Sequence, residues 1–167
     1  MIKIEDLNFE SKSKLYSYLN LKITGLVCEK NDWLASLANI SATLWILLKD
    51  INWVGFYLYK NEELILGPFQ GKPACTNIAI GKGVCGTAAS KLETQLVKNV
   101  HEFEGHIACD SDSKSEIVLP IVKDNKLIGV LDIDSSIYNR FDEEDKLGLE
   151  KLVEIMTKYI IFPNKFV

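Results

Sequence analysis

Two runs rich in aliphatic and β-branched residues, Glu116–Val122 and Lys126–Asp134, are separated only by Lys123-Asp-Asn125. So short a link makes the runs fold back on one another as an antiparallel hairpin, with Asp-Asn marking the turn. Pro120 cannot donate to a ladder, so it predicts an edge position or a bulge in the first of these strands. Upstream, Asn52-Trp-Val-Gly-Phe-Tyr-Leu-Tyr59 reads as a strand, Lys60-Asn-Glu-Glu63 as a turn and Leu64-Ile-Leu66 as a returning strand, which makes a second hairpin.

Helical spacing brackets the hairpins. Leu15, Tyr16, Leu19, Ile23 and Leu26 recur on one face, which predicts a helix over about 15–27. Asn31-Asp32 can cap a second helix, for which Trp33, Leu34, Leu37, Ile40, Leu44, Ile46 and Leu47 supply a broad apolar face and Lys49-Asp50 the end. Asp142, followed by acidic residues, caps a last helix running to about Ile160, with Leu147, Leu149, Leu152, Val153 and Ile155 as its buried face. The stretch from Gly67 to Lys114 differs: six glycines, at positions 67, 71, 81, 83, 86 and 105, interrupt short apolar runs at 76–80 and 95–97. It reads as a loop-rich region with one short helix near 84–91, and long structured loops usually carry function. The order of elements is that of an α+β fold: an antiparallel sheet with helices packed on one face and a loop-covered pocket on the other. No linker divides the chain, so residues 1–167 are expected to form a single domain.

With 47% apolar residues, the 167-residue chain has enough core to fold without disulfide staples. A net charge of −4 argues against a nucleic-acid partner or an acidic membrane surface. The N-terminus lacks a basic stretch followed by an apolar one, and the longest apolar runs, such as Leu44–Leu48, are too short to span a bilayer. A cytoplasmic protein with reduced thiols is therefore expected. Its four cysteines, Cys28, Cys75, Cys85 and Cys109, contain no C-x-x-C pair, and its only histidines are His101 and His106. That spacing fits a structural zinc site poorly, and no metal is expected. Taken singly, each cysteine reads as a small buried apolar residue, and Cys28 keeps that reading. The other three, with both histidines, fall in the loop-rich middle.

Gly67-Pro-Phe-Gln-Gly-Lys-Pro-Ala-Cys75, Gly81-Lys-Gly-Val-Cys-Gly-Thr-Ala-Ala89 and Gly105-His-Ile-Ala-Cys-Asp110 occur in order, followed by Ser115-Glu-Ile-Val118 and Gly129-Val-Leu-Asp-Ile-Asp-Ser135. Together they resemble the free methionine-(R)-sulfoxide reductases, a family of single-domain GAF proteins. The resemblance implies a GAF-type antiparallel sheet of about six strands and a small pocket beneath the cysteine-bearing loops. It implies reduction of free methionine-(R)-sulfoxide by attack of a cysteine on the sulfoxide sulfur. A sulfenic acid and then an intramolecular disulfide would follow, with a thioredoxin-type reductant restoring the thiols. By the family pattern Cys109 is the first choice for the attacking thiol and Cys75 for the resolving one, with Cys85 a candidate for either role. Glu116, Asp132 and Asp134 match the family's substrate-binding carboxylates, and Trp53 and Tyr57 its aromatic walls. The resemblance implies no cofactor, and it leaves a homodimer open, since dimers are common among GAF domains.

The residues bear on these roles independently. Asp132 and Asp134 are two apart on a strand, so they share a face opposite Leu131 and Ile133. On an uncovered sheet that face would simply be solvated; covered by loops, it can hold an ammonium. Trp53 and Tyr57 are four apart and share a face, as core packing or as walls for a methyl sulfoxide. One of the acids, held protonated by its neighbours' charge, could donate to the sulfoxide oxygen. A position near a helix N-terminus would lower the pKa of Cys85 and favour it as nucleophile. Cys109 adjoins His106 and an acidic run, and the histidines could bind the substrate carboxylate or support Cys109. The alternatives to an enzyme are a GAF small-molecule sensor and a redox-sensing binding module without turnover.

Overall fold

The computed structural model describes residues 8–28, 32–105 and 110–163. Helices α1 (Lys12–Val27) and α2 (Trp33–Leu47) come first, then strands β1 (Trp53–Lys60), β2 (Glu63–Gly71) and β3 (Asn77–Ala79). Helix α3 (Gly83–Lys91), strand β4 (Gln95–Val97), strands β5 (Ser115–Lys123) and β6 (Lys126–Ser135), and helix α4 (Glu143–Tyr159) complete the order. The six strands form one antiparallel sheet in the order β3-β2-β1-β6-β5-β4. Both expected hairpins are present. The β5–β6 turn is built by Asp124 and Asn125, whose φ angles of 51° and 59° are those of a tight two-residue turn.

Period-2 alternation sorts the central strands between two cores. Val54, Phe56 and Leu58 of β1, Ile117, Leu119 and Ile121 of β5, and Leu131 and Ile133 of β6 point to one face. There they bury against Tyr16, Leu19 and Ile23 of α1, Leu37, Ile40 and Leu44 of α2, and Leu149, Leu152 and Met156 of α4. The opposite face carries Trp53, Tyr57, Val118 and Val130, packed under Val84, Cys85, Ala88 and Ala89 of α3.

The helix layer is tied together at one buried carboxylate. Asp145 receives hydrogen bonds from the Tyr16 hydroxyl at 2.8 Å and Lys12 at 2.5 Å, with Arg140 at 3.3 Å. The same residue closes a capping box with Asp142 at the start of α4. Asp32 caps α2 as expected, accepting from the backbone N–H groups of Leu34 and Ala35.

The structure departs from the sequence reading in three places. β2 continues through Gly67-Pro-Phe-Gln to Gly71, where a loop was expected after Leu66. β3 pairs only with residues 63–65, so Pro68 lies past its end, where a missing N–H costs nothing. Leu147 is 65% exposed, and Met156, not singled out by the spacing, takes a buried place in α4. Leu34 and Ile46 of α2 are likewise exposed, because only one side of that helix meets the sheet. Pro120 fits its expectation: β4 stops at the partner of Gln95, Val118, and the β5–β6 register shifts at 121/122.

Helices α1 and α4 meet where Gly148 faces Tyr16. A Cβ at Gly148 would lie 2.1 Å from the Tyr16 ring. Gly148→Ala is therefore expected to destabilise the fold by about 1–3 kcal/mol through overpacking, outweighing a helix-propensity gain of up to about 1 kcal/mol. Urea denaturation measures it; an unchanged or raised midpoint would refute the close contact.

Candidate active site

The pocket lies on the second face of the sheet, where β1, β6 and β5 run side by side. Strand register puts Trp53, Asp134 and Glu116 in one row across them, and Gly55, Asp132 and Val118 in the next. Tyr57, opposite Val130, ends the wall. Gly55 makes the space for this wall: a Cβ there would lie 2.3 Å from Phe69 Cβ and 2.7 Å from the Trp53 ring. The Trp53 indole stacks on Phe69 at 5.3 Å and on Tyr57 at 5.9 Å between centroids.

Two loops and one helix roof the pocket. The β2–β3 loop supplies Pro73 and Ala74, the segment before β5 supplies Asp110 and Ser113, and α3 supplies Gly83, Val84 and Cys85. The roof is fastened to the floor. Trp53 Nε1 donates to the Lys72 carbonyl at 3.1 Å, and the Tyr57 hydroxyl to the Cys75 carbonyl at 3.1 Å. Asn52 Nδ2 donates to Asp110 at 3.2 Å and to Ser113 at 3.0 Å. Lys72 bridges the loops through Asp110 at 3.3 Å and Asp112 at 2.5 Å. Cys75, half-buried in the β2–β3 loop, is disulfide-bonded, while Cys28 and Cys85 carry free thiols.

A family model for the GAF domain matches residues 33–158. The chain is 51% identical, over 90% of its length and 91% of the relative's, to the free methionine-R-sulfoxide reductase of Escherichia coli. The chain belongs to this family of GAF proteins. Two solved structures carry the likeness into three dimensions. The chain is similar to fRMsr of Staphylococcus aureus in complex with substrate, at 56% identity and a TM-score of 0.83, covering 86% of this chain and 94% of that one. It is also similar to free methionine-R-sulfoxide reductase from Neisseria meningitidis in complex with its substrate. There the identity is 44% and the TM-score 0.88, with 92% and 93% covered.

Within this free methionine-R-sulfoxide reductase fold, the electrostatics of the pocket are unusual. Cys85, Glu116 and Asp132 are only 4%, 6% and 6% exposed. Burial pushes Glu116 well above the usual carboxylate range, and the charges of Asp132 and Asp134 push it further. Burial also lifts Asp132 to about 6, against hydrogen bonding with Cys85 and Glu116, which favours its charged form. Asp134 is raised by burial and by the Asp132 charge, with a hydrogen bond to Ser113 opposing. Three acids so close together do not all stay ionised, and their raised pKa values let them share protons; Asp132 Oδ1 is buried with no hydrogen-bond partner.

Glu116, Asp132, Asp134, Trp53, Tyr57 and Cys85 converge on this pocket as the sequence suggested, and Cys75 adjoins it through the loop it shares with Ala74. Cys85 is the third residue of α3, near the helix start as expected, but its surroundings act against the lowering that position alone would give. Its Sγ sits 4.0 Å from Glu116 Oε1, and burial first, then the charges of Asp132 and Glu116, raises its pKa well above the ordinary thiol value. Cys28 is exposed at the end of α1, not buried as expected, because its helix stops there and turns it outward. His101 is exposed, edge-on to Tyr138, and lines no part of the pocket. Cys109 and His106 lie outside the described residues. Asn52, Asp110 and Ser113 were not singled out by sequence; the turn-forming Asp-Ser-Asp-Ser run at 110–113 was the available signal.

The raised carboxylates oppose folding at neutral pH. A group whose folded pKa exceeds its unfolded one destabilises the fold above the unfolded pKa, and the penalty vanishes below it. Asp132→Asn is therefore expected to raise stability at pH 7 by on the order of 1–3 kcal/mol. The gain should disappear below about pH 4. Urea unfolding at the two pH values tests this; a gain that does not depend on pH would contradict it.

Proposed function

We propose that the protein reduces free methionine-(R)-sulfoxide to methionine with its own thiols. The observation that carries this reading is the pocket floor: the buried Glu116 and Asp132 and the half-buried Asp134 beneath an aromatic wall, beside a loop whose Cys75 is already in a disulfide. The substrate's ammonium would pair with Asp132 and Asp134, leaving Glu116 its proton. Its methyl sulfoxide end would rest against Trp53 and Tyr57.

In this reading the Cys109 thiolate attacks the sulfoxide sulfur. The S–O bond breaks, the oxygen passes with a proton to the cysteine as a sulfenic acid, and methionine leaves reduced by two electrons. The Cys75 thiol then displaces hydroxide from the sulfenic acid as water, leaving a Cys75–Cys109 disulfide. A raised carboxyl pKa leaves a proton available on the pocket floor for the departing oxygen; Glu116, raised by burial and two neighbouring charges, is the best placed donor. Cys85 serves as a protonated thiol in this pocket, since its raised pKa makes it a poor nucleophile. Regeneration falls to a thioredoxin-type dithiol in the cytoplasm. No described helix is long and apolar enough to cross a membrane. The reading takes residues 1–167 as one GAF-like domain, acting as a monomer or a homodimer.

Incubation with free methionine-(R)-sulfoxide and dithiothreitol, followed by amino-acid analysis, is expected to give methionine catalytically. No turnover would leave the sensor or redox-module reading. In single turnover without reductant, Cys109→Ser is expected to form no methionine. Cys75→Ser should form one equivalent and hold the enzyme as a sulfenic acid trappable by dimedone. Methionine from Cys109→Ser would reassign the nucleophile. Asp132→Asn is expected to raise KM at least about 100-fold, the scale of unpairing a buried charge. A KM within a few-fold of wild type would place the ammonium elsewhere.

A further inference from the structure

We infer that Cys85, Glu116 and Asp132 form a binding site for a single thiophilic divalent cation, of which zinc is the common example, and that such a cation competes with the amino-acid substrate. One donor atom from each residue lies within 4.8 Å of the other two, and all three residues are buried. The Sγ of Cys85 approaches Glu116 Oε1 to 4.0 Å. Metal–sulfur and metal–oxygen bonds of about 2.3 and 2.0–2.2 Å set tetrahedral donors roughly 3.3–3.7 Å apart. Side-chain rotation of about an ångström therefore closes the set around an ion. The donors come from α3, β5 and β6, so the sheet and the helix packed on it hold them without a flexible loop.

The second observation is Asp132 Oδ1, buried and without a hydrogen-bond partner. An acceptor in that state calls for a cation or a donor. One thiolate and two carboxylates select zinc or cadmium over magnesium or calcium, whose preferred ligands are all oxygen. Three protein donors leave the fourth position facing the pocket, as in an open rather than a structural site. The cation would occupy Asp132, assigned above to the substrate ammonium, and the competition half of the inference rests on that assignment. The binding half does not.

The test uses the full chain with Cys28→Ser, Cys75→Ser and Cys109→Ser, in which Cys85 is the one thiol and no turnover occurs. Cd²⁺ titration, read by the ultraviolet thiolate-to-cadmium charge-transfer band, is expected to saturate at one equivalent. Adding Asp132→Asn should weaken binding at least about tenfold, with circular dichroism confirming the fold. No band, or an affinity unchanged by Asp132→Asn, would overturn the site. Free methionine-(R)-sulfoxide should then displace the ion at concentrations where alanine, with the same chelating amine and carboxylate, does not. A saturable band indifferent to the sulfoxide would overturn the competition and the ammonium assignment while leaving the metal site standing.

Discussion

The pairing of β6 with β1 on one side and β5 on the other is the constraint on which everything else depends. Alternation along those three strands sends Val54, Phe56, Leu119, Leu131 and Ile133 to the helix layer. The same alternation delivers Trp53, Tyr57, Glu116, Asp132 and Asp134 to the opposite face. A one-residue slip in either pairing would exchange the two sets, burying acids in the main core and stripping the pocket of its charge. The hydrophobic face therefore fixes the register, and the register fixes the site. Stability and function are read from alternate residues of the same strands.

The second face is costly to maintain. Carboxylates taken out of water raise their pKa and oppose folding at neutral pH, and a bound proton or a cation in their midst relieves them. The large apolar core beneath the helices supplies the margin. The roof over the acids is held by specific bonds, from Trp53 and Tyr57 to the β2–β3 loop and from Asn52 to the segment before β5. The β2–β3 loop that carries Cys75 and the segment that opens at Asp110 are thus anchored by the residues that form the wall and rim of the pocket.

Much of this was legible in the sequence, and the reasons are physical. Period-2 spacing named both faces of β1 and β6, and the Asp-Asn turn set the β5–β6 hairpin. The helix caps at Asp32 and Asp142 were readable because capping is local. What escaped was non-local. Gly67 and Pro68 read as loop, yet the strand continues through them because Phe69, Gln70 and Gly71 pair with β1, while the outer neighbour β3 has already ended. Leu147 and Leu34 carry apolar side chains at positions that no second element covers. Cys85 illustrates the limit best. Its neighbours in sequence suggested an activated thiol at a helix end, but burial, and then the charges of Asp132 and Glu116, far away in the chain, reverse the sign. The roles of Asn52, Asp110 and Ser113 likewise exist only once the loops fold over the sheet.

The central claim is that the buried carboxylates recognise the ammonium of a free amino acid. The most direct measurement is kcat/KM for methionine-(R)-sulfoxide against its N-acetyl derivative, which keeps the sulfoxide and the carboxylate but loses the positive charge. The account expects the free amino acid to be preferred by at least about 100-fold, because the acetylated form leaves the acids unpaired. Comparable values for the two would contradict it.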